Sequence, residues 1–222
     1  VIIVNKNEQT YVDFLKKQVY HQISSYFSKK PIGKIVLEYL ENPLKVKFQE
    51  YYFDIFNNKN YYFETNHFFK EFKSQYSLQG IDKKFLDKLE KDKGNILCDI
   101  RNDKLAELYF RYFKDAEIQH GDDIKKRELG SFFTKLVHTF QPNKYCALDY
   151  KIKKYFELKN ESYFISFCVI SAAYRDWATD HREIIQKIRN RFTQANKKEN
   201  VKHEKLTDLK LLDIIFWSKA NR

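Results

Sequence analysis

The chain has 222 residues, enough for one sizeable core or two small ones. Its 5 Gly and 3 Pro are too few for many short strands joined by tight turns, so an all-α fold is expected. The net charge of +11 excludes an acidic, solvating chain and favours a polyanionic partner, nucleic acid before a membrane surface.

Apolar spacing predicts about ten helices and no strand alternation. Phe14, Leu15, Val19, Ile23 and Phe27 form one face of a helix over 8–29. Pro31 suits the first turn of a helix over 31–41, with Ile32, Ile35, Val36 and Tyr39 inside. Pro43 starts a third helix, 43–57, and Asn57 to Asn60 read as a turn. The aromatic run from Tyr61 to Tyr76 has helical spacing and reads as core before it reads as a base-stacking stripe. Helices over 82–91 and about 96–115 follow.

His120-Gly121-Asp122-Asp123 fits a helix cap better than a metal site, since a metal needs more ligands. A helix or helix pair then covers 124–140, with Gly130 as a break, and ends at Gln141-Pro142-Asn143. Asp149 opens the helix of 147–158, and Ser162 caps the most apolar helix, 163–177. Asp180 reads as the N-cap of a basic helix over 180–196, and Thr207 as the cap of the last one. The expected organisation is a helical lobe over 1–120 and a basic lobe over 121–222, or one unit. The halves carry 20 Lys/Arg against 17 Asp/Glu and 21 against 13.

Cys98, Cys146 and Cys168 have no metal or disulfide spacing and read as buried free thiols in a reducing, cytoplasmic setting. No apolar run is long enough to span a bilayer. The start, VIIVNKNEQT, is too soon charged for a signal peptide. The chain has 0 Met, and a reading as a fragment or processed form stays open.

The richest stretch is 129–156. Thr134-Lys135-Leu136-Val137-His138, then Phe140, Pro142 and a helix opened by Asp149, resembles bacterial proteins distantly similar to the helix-hairpin-helix DNA glycosylases. The closing helix Leu209 to Trp217, with Asp213, resembles the last helix of the same proteins. The resemblance spans residues 124–220 and implies DNA repair chemistry on a flipped or damaged base. Lys135 would attack C1′, and Asp149 would stabilise developing positive charge or move protons. Only Gly130 remains of the two hairpin glycines, with Phe132 where the second would stand. The same residues also fit a surface lysine, a core histidine and an ordinary N-cap.

Two other features bear on function. Arg175 and His181, five residues between them, resemble the Arg-His motif of HEPN ribonucleases, and equally fit an interhelical turn. Lys151, Lys153, Lys154, Arg182, Lys187, Arg189 and Arg191 are candidates for following a phosphate backbone, DNA more than RNA, or for a solvated face. No cofactor or metal is expected. A non-catalytic helical interaction module is the remaining alternative. P-loop, zinc-protease and α/β-hydrolase motifs are absent from the sequence.

Overall fold

The computed structural model describes residues 6–41, 50, 52, 54–55, 57–60, 63–65, 67–76, 78, 80–120, 123–195 and 205–221. Most of the expected helix over 43–57, together with Tyr61, Tyr62, Gly121 and Asp122, lies outside them. The described elements are α1 (Lys6–Lys29), α2 (Ile32–Leu40), α3 (Phe68–Gln75), α4 (Lys83–Lys91), α5 (Lys93–Arg101) and α6 (Leu105–Leu108), which runs into a π-helical turn, Tyr109–Phe113. A hairpin of β1 (Ala116–His120) and β2 (Asp123–Arg127) follows. The chain then forms α7 (Gly130–Phe140), α8 (Tyr150–Tyr155), α9 (Tyr163–Asp180), α10 (Arg182–Ala195) and α11 (Asp208–Ala220).

Among the described residues the fold is all-α apart from that antiparallel hairpin, which the sequence reading missed. β1 alternates, with Ala116 and Ile118 buried and Glu117 and Gln119 exposed, but the signal lasts only four residues. β2 is exposed throughout and charged, so it carries no inward period. Asp123 is therefore a strand residue paired with His120, not a helix cap. The Asp82 carboxylate caps α4 by accepting from Phe85 N–H and also accepts from Gln119 N–H, tying the hairpin to α4.

Other boundaries moved for local reasons. The expected helix over 96–115 breaks at Asn102-Asp103, where Asp103 takes φ 56, a left-handed conformation that Asp tolerates. Residues 57–60 are helical rather than a turn. Asp180 ends α9 rather than capping α10, and His181 sits between the two helices. Phe14 is 61% exposed, not core, and Cys98 is exposed rather than buried.

One apolar core runs through both halves, from Leu15 to Phe216. α1 lies along α9, buries Leu15, Val19 and Ile23, and is edged by polar pairs such as Tyr20 to Asp180 (2.9 Å) and Lys16 to Asp176 (3.0 Å). The aromatic run is core, as read: Phe68, Phe69, Phe72 and Tyr76 are buried, with Phe72 against Phe132 of α7. α11 packs against α2, α8, α9 and α10, and every residue from Leu209 to Phe216 is buried. A helix buried all round is a central pillar, and polar residues on it need partners. No described helix is long and apolar enough to cross a membrane.

Candidate functional site

α7 is the second buried helix. Phe132, Phe133, Leu136 and Val137 fill the core, and Thr134, His138 and Thr139 are buried polar residues among them. Gly130 starts it, and its place is set by close approach: an added Cβ would lie 2.1 Å from Cγ of Tyr163. This glycine faces a packed ring. Phe132, at the position of the missing second glycine, is core.

The polar residues of α7 have one task in common. They hold the extended segment 141–149 against the helix. Thr134 Oγ1 accepts from the Leu148 N–H and reaches the Leu148 carbonyl, each at 3.0 Å. His138 Nδ1 is 2.6 Å from the Tyr145 carbonyl, so it carries the proton and donates. Nε2 is then the acceptor for the Tyr52 hydroxyl at 3.1 Å. Burial pushes the His138 pKa down to about 3, with the nearby Lys210 charge adding to the effect, so it is neutral at physiological pH. From α9, Ser171 Oγ accepts from Cys146 N–H at 3.1 Å, and Arg175 donates to the Lys144 carbonyl. From the start of α11, Thr207 donates to the Pro142 carbonyl at 3.0 Å.

The pinned segment delivers Asp149 opposite Lys135. Asp149 caps α8, accepting from Ile152 N–H at 2.9 Å. It lines a half-open cavity of about 50 Å³ together with Lys135, Tyr52, Tyr76, Lys210 and Asp213, with Trp217 at its side. The two residues that the sequence singled out therefore share one site. Lys135 is half-buried, with its ammonium 5.4 Å from the centre of the Tyr76 ring. Desolvation lowers its pKa; the Asp149 carboxylate opposes that, and the Lys210 charge reinforces it.

Lys210 and Asp213 are the residues that sequence reasoning left out of the site. They form a buried ion pair at 2.7 Å, one helical turn apart on α11, with the Lys210 ammonium 4.4 Å from the centre of the Tyr52 ring. Burial raises the Asp213 carboxyl pKa, partly offset by Lys210. The sequence signal was present: a Lys and an Asp three apart inside an otherwise apolar helix face each other. The Tyr76 hydroxyl is buried without a geometrically satisfactory hydrogen bond. Thr139 Oγ1, close enough to ease Tyr76 ionisation, spends its own proton on the Lys135 carbonyl at 2.9 Å. Desolvation dominates and keeps the Tyr76 phenol neutral.

The candidate phosphate contacts divide. Lys153 is 4% exposed; its ammonium donates to the Glu161 carbonyl at 2.5 Å and lies 4.5 Å from the centre of the Tyr163 ring, so it closes the turn after α8 and is unavailable to phosphate. Arg189 is committed to the Leu206 carbonyl (2.6 Å) and Asp208 (2.7 Å), joining α10 to the start of α11. These two are corrections. Lys151 is exposed and donates to Asn221 at 2.8 Å. Lys154, Arg182, Lys187 and Arg191 are exposed.

Arg175 and His181 have separate structural contacts: Arg175 holds the 141–149 segment, and His181 stacks on Trp177 with ring centres 4.5 Å apart. Burial pushes the Cys146 and Cys168 thiols up to about 12 and about 11, which makes them poor nucleophiles. Among the described residues, no group of three or more His, Cys, Asp and Glu is placed to hold a metal ion. Compared with models of known protein families, with curated proteins and with solved structures, the chain matches none.

Proposed function

We propose that the Lys135 pocket is an amine-nucleophile site of a nucleic-acid-binding protein, acting on the sugar C1′ of a DNA lesion in the manner of a glycosylase or lyase. The observation that carries this reading is one pocket holding a desolvated lysine, a carboxylate across from it and aromatic walls. Desolvation favours the neutral amine that nucleophilic attack requires. Asp149 can take the proton that the nitrogen sheds on forming the new bond, and it stabilises positive charge at the sugar.

Cavity size selects the substrate within this class. About 50 Å³ accommodates a few waters and falls far below the roughly 300 Å³ of a small-molecule pocket. An abasic sugar presents its open-chain aldehyde carbon without a base to house. Lys135 Nζ adds to that carbon, water leaves, and an iminium forms. Excision of an intact base would first require Tyr52, Tyr76 or Trp217 to move aside.

Borohydride trapping tests the reading directly. The reductant converts the iminium to a stable secondary amine, so the full chain incubated with an abasic oligonucleotide and borohydride is expected to give a covalent adduct. Lys135→Ala removes it, and Asp149→Asn slows its formation by about 10²-fold or more, the usual loss for a proton-transfer group. An undiminished adduct in Lys135→Ala, or no adduct with the wild-type chain, overturns the assignment.

A further inference from the structure

A second concave site lies near the C-terminal ends of α8 and α11. Lys29 and Lys30 at the end of α1, Lys34 of α2 and Lys219 of α11 line a groove of about 580 Å³, with Tyr26 and Tyr155 in its walls. Lys30 is committed to Glu38. Lys29, Lys34 and Lys219 form no ion pair with a described residue, and none of the described residues lining the groove is acidic. The Gln22 side chain reaches the same groove and carries a buried amide oxygen with no hydrogen-bond partner. Turned over, that amide offers an N–H donor to a bound oxygen, since amide orientation is set by the partners present.

Three uncommitted ammonium groups and an uncommitted amide in one concavity match a phosphodiester strand. The Tyr26 and Tyr155 rings, both packed on Phe216, form the apolar part of the wall. A flat anionic membrane cannot follow a concave wall, whereas a strand can. The placement relative to Lys135 also fits. Trp217 lines the Lys135 pocket, and Lys219 lies two residues further along the same helix; Ile152 lines that pocket, and Tyr155 lies three further along α8. From Asp213 to Lys219 the helix rises about 9 Å, on the order of one to two phosphate spacings.

We infer that the groove between α1, α2, α8 and α11 binds the phosphodiester backbone of a nucleic-acid strand through Lys29, Lys34 and Lys219, in place of the exposed face of α10. The inference rests on the nucleic-acid reading of the Lys135 pocket but not on its chemistry.

The test is fluorescence anisotropy of the full chain with an undamaged, labelled oligonucleotide over a range of salt. Replacing Lys29, Lys34 and Lys219 together by Gln is expected to flatten the salt slope by about two and to weaken binding about 100-fold at 0.1 M salt. The Arg triple replacement at the same positions retains charge and should retain affinity, which separates lost contacts from lost folding. Removing Arg182, Lys187 and Arg191 should change affinity less than threefold. The reverse pattern, with the α10 variant losing binding and the groove variant keeping it, overturns the inference. So does wild-type binding to vesicles rich in anionic lipid but not to the oligonucleotide, or competition by inorganic phosphate at the concentration that displaces the strand. A wild-type chain that binds the oligonucleotide but gives no borohydride adduct refutes the chemistry alone, and intact trapping in the groove variant at low DNA concentration refutes the groove alone.

Discussion

The interior of the Lys135 pocket and the outer face of α10 hold charges of the same kinds under opposite conditions. Lys210 and Asp213 are nearly fully buried, each held by the other at 2.7 Å. Arg182, Lys187 and Arg191 stand in solvent. A buried charge is expensive and persists only with a partner, whereas a solvated one costs almost nothing and implies little. The charges that mean most in this chain are thus the ones that a count of basic residues weighs least. The same contrast recurs within α8: Lys153 is buried under Tyr163, and its neighbour Lys154 is exposed.

The contrast can be broken most forcefully at Asp213. Asp213→Leu leaves the Lys210 ammonium buried and unpaired, and a loss of about 3–5 kcal/mol is expected in denaturant titration. Adding Lys210→Met to that variant should restore most of it. A single variant as stable as wild type would show that the pair is solvated in solution.

A smaller effect should come from His138. Its proton is bound near pH 6.5 in the unfolded chain but only near 3 when folded. Stability from this group is therefore complete above pH 6.5 and is lost as pH falls towards 3. Between pH 6.5 and 5 the loss is about 2 kcal/mol. His138→Gln should flatten that part of the stability–pH curve, and an unchanged curve would mean that His138 is hydrated.

The smallest effect sharpens the α8 pair. Lys154→Met should move stability by under about 0.5 kcal/mol, as exposed sites do. Lys153→Met leaves the Glu161 carbonyl without its donor and should cost about 1–3 kcal/mol, read as a shift in the thermal midpoint. Equal shifts for the two would remove the distinction drawn between them.

Much of the local structure was legible. The caps at Asp149, Ser162 and Thr207 were visible as cap residues before apolar runs, and the last three helices begin close to where spacing put them, whereas the helix expected over 124–140 begins only at Gly130. Capping is a contact within three residues, so sequence carries it. The hairpin was lost because an exposed, charged strand has no period. Asp180 was misread because a short polar residue before a basic run resembles a cap whether or not α9 continues through it.

Sequence by itself determined the helical class, the core aromatics, and Lys135 and Asp149 as residues of interest on neighbouring helices. Only the tertiary structure decided that they share a pocket, because Asp149 is delivered by a segment pinned from three helices by Thr134, His138, Ser171, Arg175 and Thr207. It also decided which lysines are spent on carbonyls and which are free for a partner. Burial depends on what packs from elsewhere in the chain, and no local pattern around Lys153 or Lys210 contains that information.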